Sequence, residues 1–155
     1  MTIQDWGAIG EIVGGVGVII TLIYLAAQIR QNTKYLASEY FQGLSARLES
    51  RTITAACNPQ LVLVLRKWQD GEELTEEELM QTRFWMATWV SDLQDGYRQM
   101  RLGIVPESAL GGRILTIAGM MQTVSGKEHW KMLKKSADPE FVIWFEKESE
   151  KYHST

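Results

Sequence analysis

The chain has 155 residues and a formal net charge of −3, from 16 Lys and Arg against 19 Asp and Glu. This length suits one compact domain rather than two, and the balanced charge argues against general nucleic-acid binding, which needs a basic face. Cys57 is the only cysteine, which excludes an intramolecular disulfide and a cysteine-based zinc site.

The first predicted element is an apolar helix near the N-terminus. Residues 12–29 contain no charged side chain, and they lie between Glu11 and Arg30. A helix of about 20 apolar residues, rising about 1.5 Å per residue, crosses a hydrocarbon layer roughly 30 Å thick. We therefore expect residues 1–30 to form a transmembrane helix and residues 31–155 to form a helical bundle domain.

Small residues recur along one stripe of this helix at intervals of three and four residues. The spacing approximates a 3.5-residue repeat, which favours a left-handed helix crossing, and small side chains let two backbones approach closely in lipid. Polar residues continue the stripe at Gln28 and Gln31, and Glu11 flanks it. The oligomer seam predicted from this pattern consists of Gly7, Gly10, Gly14, Gly17, Thr21 and Gln28.

The seam predicts a homo-oligomer joined along the membrane helix. In a pore-forming assembly, Glu11, Gln28 and Gln31 would be the candidate pore or ion-contacting residues. Two alternatives stay open. One is a non-conducting membrane-anchored scaffold or sensor whose helical domain binds a protein partner. The other is a soluble helical oligomer in which the glycine-rich helix is buried.

The charges around the apolar run predict its orientation. No Lys or Arg precedes the run, whereas several follow it. Because Lys and Arg accumulate on the cytoplasmic side of a span, the C-terminal domain should be cytoplasmic and the N-terminus outside. The basic residues that follow are Arg30, Lys34, Arg47 and Arg51.

The next segments also favour helices. Asn58 and Pro59 should end the first helix and begin the second, because the residue before Pro avoids the α region and Pro suits a first helical position. Thr75 with Glu78 forms a capping box. It opens a long helix that Gly103 closes.

The C-terminal third predicts three further helices. Pro106 should open a helix that extends to Val124. Ser125 with Glu128 reads as a second capping box, and Asp138 caps a last helix. The predicted fold class is all-α, with an N-terminal transmembrane helix continuing into a cytoplasmic helical bundle.

The sequence contains no recognisable catalytic or metal-binding pattern. Its only histidines are His129 and His153, and no Ser, Cys and His grouping matches a nucleophile motif. Glu150 and His153 form one Glu-x-x-His pair, whereas a di-iron bundle needs two such pairs and two further carboxylates. We expect no enzyme activity, no cofactor and no metal, and a surface or packing role for His129.

Two clusters permit both a structural and a ligand-binding interpretation. The acidic residues between 72 and 78 suit the first turn of a helix, where carboxylates complement the dipole, although they could also attract a cation. Trp85 and Trp89 lie one helical turn apart. Core or interface packing is the commoner use of such a pair, and a ligand cage is the alternative.

Several segments resemble a group of small bacterial membrane proteins with no assigned activity. The resemblance begins with residues 9–14 (IGEIVG), 21–25 (TLIYL) and 28–33 (QIRQNT). It continues through residues 74–78, Gly103, Trp130 and Phe141. It implies a helical protein anchored in the bacterial inner membrane. Together, the apolar run, the seam and the balanced charge predict membrane lipid and a second copy of the chain as partners, a further protein as a possible partner, and no nucleic acid.

Overall fold

The computed structural model describes the backbone of residues 3–151 and, apart from residues 3–6, 8 and 9, their side chains. Every regular element within this range is helical, which confirms the all-α prediction. A short 3-10 helix (Glu107–Leu110) precedes α4. The α-helices are α1 (Ile3–Ala56), α2 (Pro59–Gln69), α3 (Glu76–Arg101), α4 (Gly111–Met120), α5 (Val124–Leu133) and α6 (Pro139–Glu150).

The chain divides into two compact units, residues 1–41 and residues 42–155. The first unit contains only the N-terminal part of α1. The most apolar 18-residue window of α1 has a mean hydropathy of 2.2, and none of it is buried within the chain. By length and composition α1 can cross a membrane, as the uncharged run predicts.

The second unit is built around α3, which contacts α2, α4 and α5. Met86 and Leu93 of α3 are fully buried, as are Ile117 of α4 and Phe141 and Phe145 of α6. These side chains recur at helical spacing, so each helix presents one apolar face to a common core. Among the described side chains, the core therefore lies within the second unit.

The predicted helix boundaries around α2 and α3 are confirmed. The Asn58 side chain accepts a hydrogen bond from the Leu61 N–H, and Pro59 occupies the first position of α2. Thr75 and Glu78 exchange both hydrogen bonds of a capping box. Asp138 also caps α6 as predicted. These motifs depend on neighbouring residues alone, which is why the sequence identifies them.

The predicted course between Pro106 and the fifth helix is wrong in two places. The helix that follows the 3-10 turn ends at Met120 instead of continuing to Val124, which is 82% exposed. Thr123 caps α5 in place of Ser125, because its Oγ1 accepts the Gly126 N–H at 3.0 Å. Ser125 is already inside α5.

Candidate functional site

The predicted seam lies on the first unit and is exposed along its whole length. A Cβ added at Gly7, Gly10, Gly14 or Gly17 would meet no atom within 4 Å. The Thr21 hydroxyl donates to the Gly17 carbonyl at 2.9 Å, so its hydrogen-bonding capacity is used within the helix. Within the described part of the chain, nothing packs against these glycines.

The three candidate pore residues are exposed but do not share one face of α1. At about 100° per residue, Gln28 lies about 100° around the helix from Glu11, and Gln31 lies about 160° from it. Glu11 and Gln31 therefore lie on opposite edges of the seam. A straight helix cannot direct both of them towards one central axis.

A cavity of about 540 Å³ opens between α2, α3 and α4 in the second unit. Its lining residues range from buried to exposed. Trp68 is only 3% exposed and forms the floor, Trp85 and Trp89 are half-buried, and Gly119 is exposed at the mouth. The full lining is Leu65, Trp68, Gln69, Trp85, Trp89, Leu115, Thr116, Gly119, Met120, Gln122 and Thr123.

The Trp85 and Trp89 pair packs in the bundle, and it also borders the cavity. Both rings pack against the hydrophobic core and both line the cavity. The Nε1–H groups of Trp68 and Trp89 are buried and have no acceptor within the described residues. An unpaired buried donor of this kind costs about 1–3 kcal/mol.

An ion-pair cluster joins the C-terminal end of α1 to α3. Asp92, whose side chain is 6% exposed, pairs with Arg51 and with Arg47, whose Nε lies 2.7 Å from Oδ1. The Arg51 guanidinium also lies 4.4 Å from the centroid of the Trp89 ring, as a cation–π contact. One arginine therefore connects a buried carboxylate to the cavity wall.

His129 is a buried packing residue, which removes the surface alternative. It is 1% exposed, and its Nε2 lies 2.9 Å from the Thr82 Oγ1. The same hydroxyl lies 3.0 Å from the Glu78 carbonyl oxygen, so it can donate to that carbonyl and accept from Nε2 in the tautomer that carries its proton there. Burial, with a smaller contribution from the Arg83 charge, lowers the pKa of His129.

Three of the acidic residues between 72 and 78 belong to the start of α3. Glu76, Glu77 and Glu78 occupy the first turn of α3, and Lys67 Nζ lies 2.8 Å from Glu78 Oε1. This ion pair and the capping hydrogen bond lower the pKa of Glu78. The role of Glu78 is therefore explained by the start of a helix, without a bound cation.

No group of three or more His, Cys, Asp or Glu side chains within the described residues is placed to hold a metal ion. Of the Glu150 and His153 pair noted from the sequence, His153 lies outside the described residues.

Comparisons of the chain with protein-family models, with curated proteins and with solved structures gave no significant match.

Proposed function

We propose that this protein is a single-span membrane protein that self-associates through the seam on α1. The observation that carries the proposal is the open seam. Four small residues recur in register at Gly7, Gly10, Gly14 and Gly17, and no atom of the described chain approaches them.

The physics of helix association in lipid explains why such a seam favours a second copy. Lipid tails are as apolar as Leu, so the hydrophobic effect does not hold two spanning helices together. Close backbone approach supplies van der Waals contact and weak Cα–H···O bonds instead. Glycines permit that approach, whereas a lone anchor would function equally well with Leu at each of these positions.

The location proposed for the protein is the bacterial inner membrane, with the second unit in the cytoplasm. Arg30 and Lys34 follow the apolar run directly, and no basic residue precedes it. This asymmetry supports an outside N-terminus. The bacterial origin rests only on the resemblance of residues 9–14, 21–25 and 28–33 to small bacterial membrane proteins.

A pore is the narrower version of this proposal. Gln28 lies on the seam and would be near the axis of a closed ring of helices, where a polar side chain can line a water-filled path. Glu11 and Gln31 lie about 160° apart around the helix. Only one of them can therefore line the same path as Gln28. A non-conducting oligomer is the rival, and conductance measured in planar bilayers distinguishes the two.

The seam can be tested by the mass of the detergent-solubilised particle. Gly14→Leu combined with Gly17→Leu places two bulky side chains on the stripe, and we expect the particle to fall to the mass of a monomer. Gly15→Leu is the matched control. Gly15 belongs to the same turn and also has no neighbour within 4 Å, but it lies about 160° around the helix from Gly17.

Two results would contradict the proposal. In the first, the double variant keeps the wild-type particle mass, so the seam is not the interface. In the second, the particle mass of the Gly15→Leu control falls as far as that of the double variant. Association would then depend on the bulk of the helix and not on a specific stripe.

A further inference from the structure

The cavity lined by Trp68, Trp85 and Trp89 has the composition of a small-molecule site. None of its eleven lining residues carries an ionisable side chain. A charged ligand would lose hydration there without gaining a counter-charge, which is strongly unfavourable. The lining therefore selects for a neutral ligand.

The size and shape of the cavity limit the ligand further. Its volume of about 540 Å³ lies within the range of roughly 300–1,000 Å³ that small-molecule sites usually occupy. The buried Trp68 closes one end, and Gly119 leaves the other end open, since a Cβ there would meet nothing within 4 Å. The ligand can therefore enter past α4 without a backbone rearrangement.

The tryptophans indicate a ring compound rather than an alkyl chain. Three indoles line the cavity, and aromatic rings gain from offset or edge-to-face contacts with another ring beyond the burial of their area. An alkyl chain would need only apolar surface, which Leu65 and Met120 already provide.

We propose that this cavity binds a neutral, flat, mostly apolar ring compound. The site lies wholly within the second unit. It is independent of the self-association proposed for α1, and either proposal can fail without the other.

The experiment uses the full-length chain labelled with 5-fluorotryptophan in lipid nanodiscs and titrated with 2-naphthol. Fluorine NMR resolves each tryptophan, and single Trp→Phe variants assign the signals. We expect saturable shifts of Trp68, Trp85 and Trp89. Trp130 and Trp144 are internal references, because they lie outside the cavity and their Nε1–H groups already donate to glutamates. Uptake of 2-naphthol by the lipid alone would leave the Trp68 signal unchanged.

A matched pair of α4 variants locates the binding. Gly119→Leu fills the mouth of the cavity, and we expect it to weaken 2-naphthol binding by about tenfold or more, equivalent to about 1.4 kcal/mol. Gly112→Leu changes the same residue type on the same helix outside this cavity, and we expect unchanged binding. A Cβ at either glycine meets nothing within 4 Å, and Leu favours the helix over Gly, so both variants should fold.

Three outcomes would overturn the proposal. The first is the absence of saturable shifts up to the solubility limit of 2-naphthol. The second is equal binding by the Gly119→Leu and Gly112→Leu variants, which would place the ligand elsewhere. The third is saturation of the same three signals by decan-1-ol at a lower concentration than 2-naphthol, which would identify an alkyl chain as the preferred occupant.

Discussion

Replacing Asp92 by Asn should destabilise the second unit far more than an exposed charge change would. The Asp92 side chain is 6% exposed and that of Arg51 is 12% exposed, whereas that of Arg47 is 44% exposed. Removing one partner of a buried pair leaves an uncompensated charge and costs about 3–5 kcal/mol. The Arg47 contact is closer to a surface ion pair and adds about 0–1 kcal/mol.

The expected loss for Asp92→Asn is about 3 kcal/mol, at the lower end of that range, because Asn keeps one acceptor oxygen for the guanidinium groups. The assay is guanidinium chloride unfolding of the full-length chain in detergent, followed by tryptophan fluorescence. The midpoint should fall while the denaturant dependence stays constant.

Asp95→Asn is the matched control for Asp92→Asn. Asp95 lies on the same helix, its side chain is 49% exposed, and it faces Arg98 at 3.6 Å. Its loss should stay within about 0.5 kcal/mol. If Asp92→Asn costs less than about 1 kcal/mol, or no more than Asp95→Asn, the cluster does not stabilise the bundle in the way that we infer.

Two further predictions concern the histidine and the cysteine. Because the pKa of His129 is lowered in the folded state, unfolding takes up a proton at mildly acid pH. The free energy of unfolding should therefore fall as the pH decreases below about 6.5. His129→Gln should remove this slope, which unfolding at pH 7.5 and 5.5 measures, and a slope that persists would refute the assignment. Cys57 is exposed, so a membrane-impermeant maleimide should label it in lysed but not in intact cells, and labelling of intact cells would reverse the proposed orientation.

The sequence predicts the helices whose ends are determined locally. Asn58 and the Thr75 capping box place α2 and α3, because a cap needs only a side-chain oxygen and an N–H within three residues. The wrong prediction at Ser125 arises because local sequence alone allows two caps there. Thr123 and Ser125 are both competent caps by residue type, and only the path of the preceding turn, at Met120, determines which one is used.

The candidate site was predictable only in part. The spacing of Trp85 and Trp89 along one helix is visible in the sequence, and it correctly singles them out as a pair. Trp68 and Gly119 belong to other helices, and their approach depends on how α2 and α4 pack against α3. No periodicity within a single segment encodes a cavity shared by three helices. The burial of His129 also depends on how separate helices pack, because its hydrogen-bonding partner Thr82 lies 47 residues away in the sequence.

The glycines of this chain divide into those that the fold requires and those that it does not. Gly103 has φ +71°, a conformation that other residues rarely adopt. Gly126 passes so close to the Met120 carbonyl that a Cβ would lie 1.8 Å from that oxygen. Nothing within the described chain demands a glycine along the seam, from Gly7 to Gly17. In water each interior glycine would weaken the helix by about 1 kcal/mol relative to Ala. The fold of the described chain therefore accounts for the first kind of glycine but not for the second. For the stripe of glycines on α1, the proposed reason is a second copy of α1 in lipid, which small residues at this spacing would allow to approach closely.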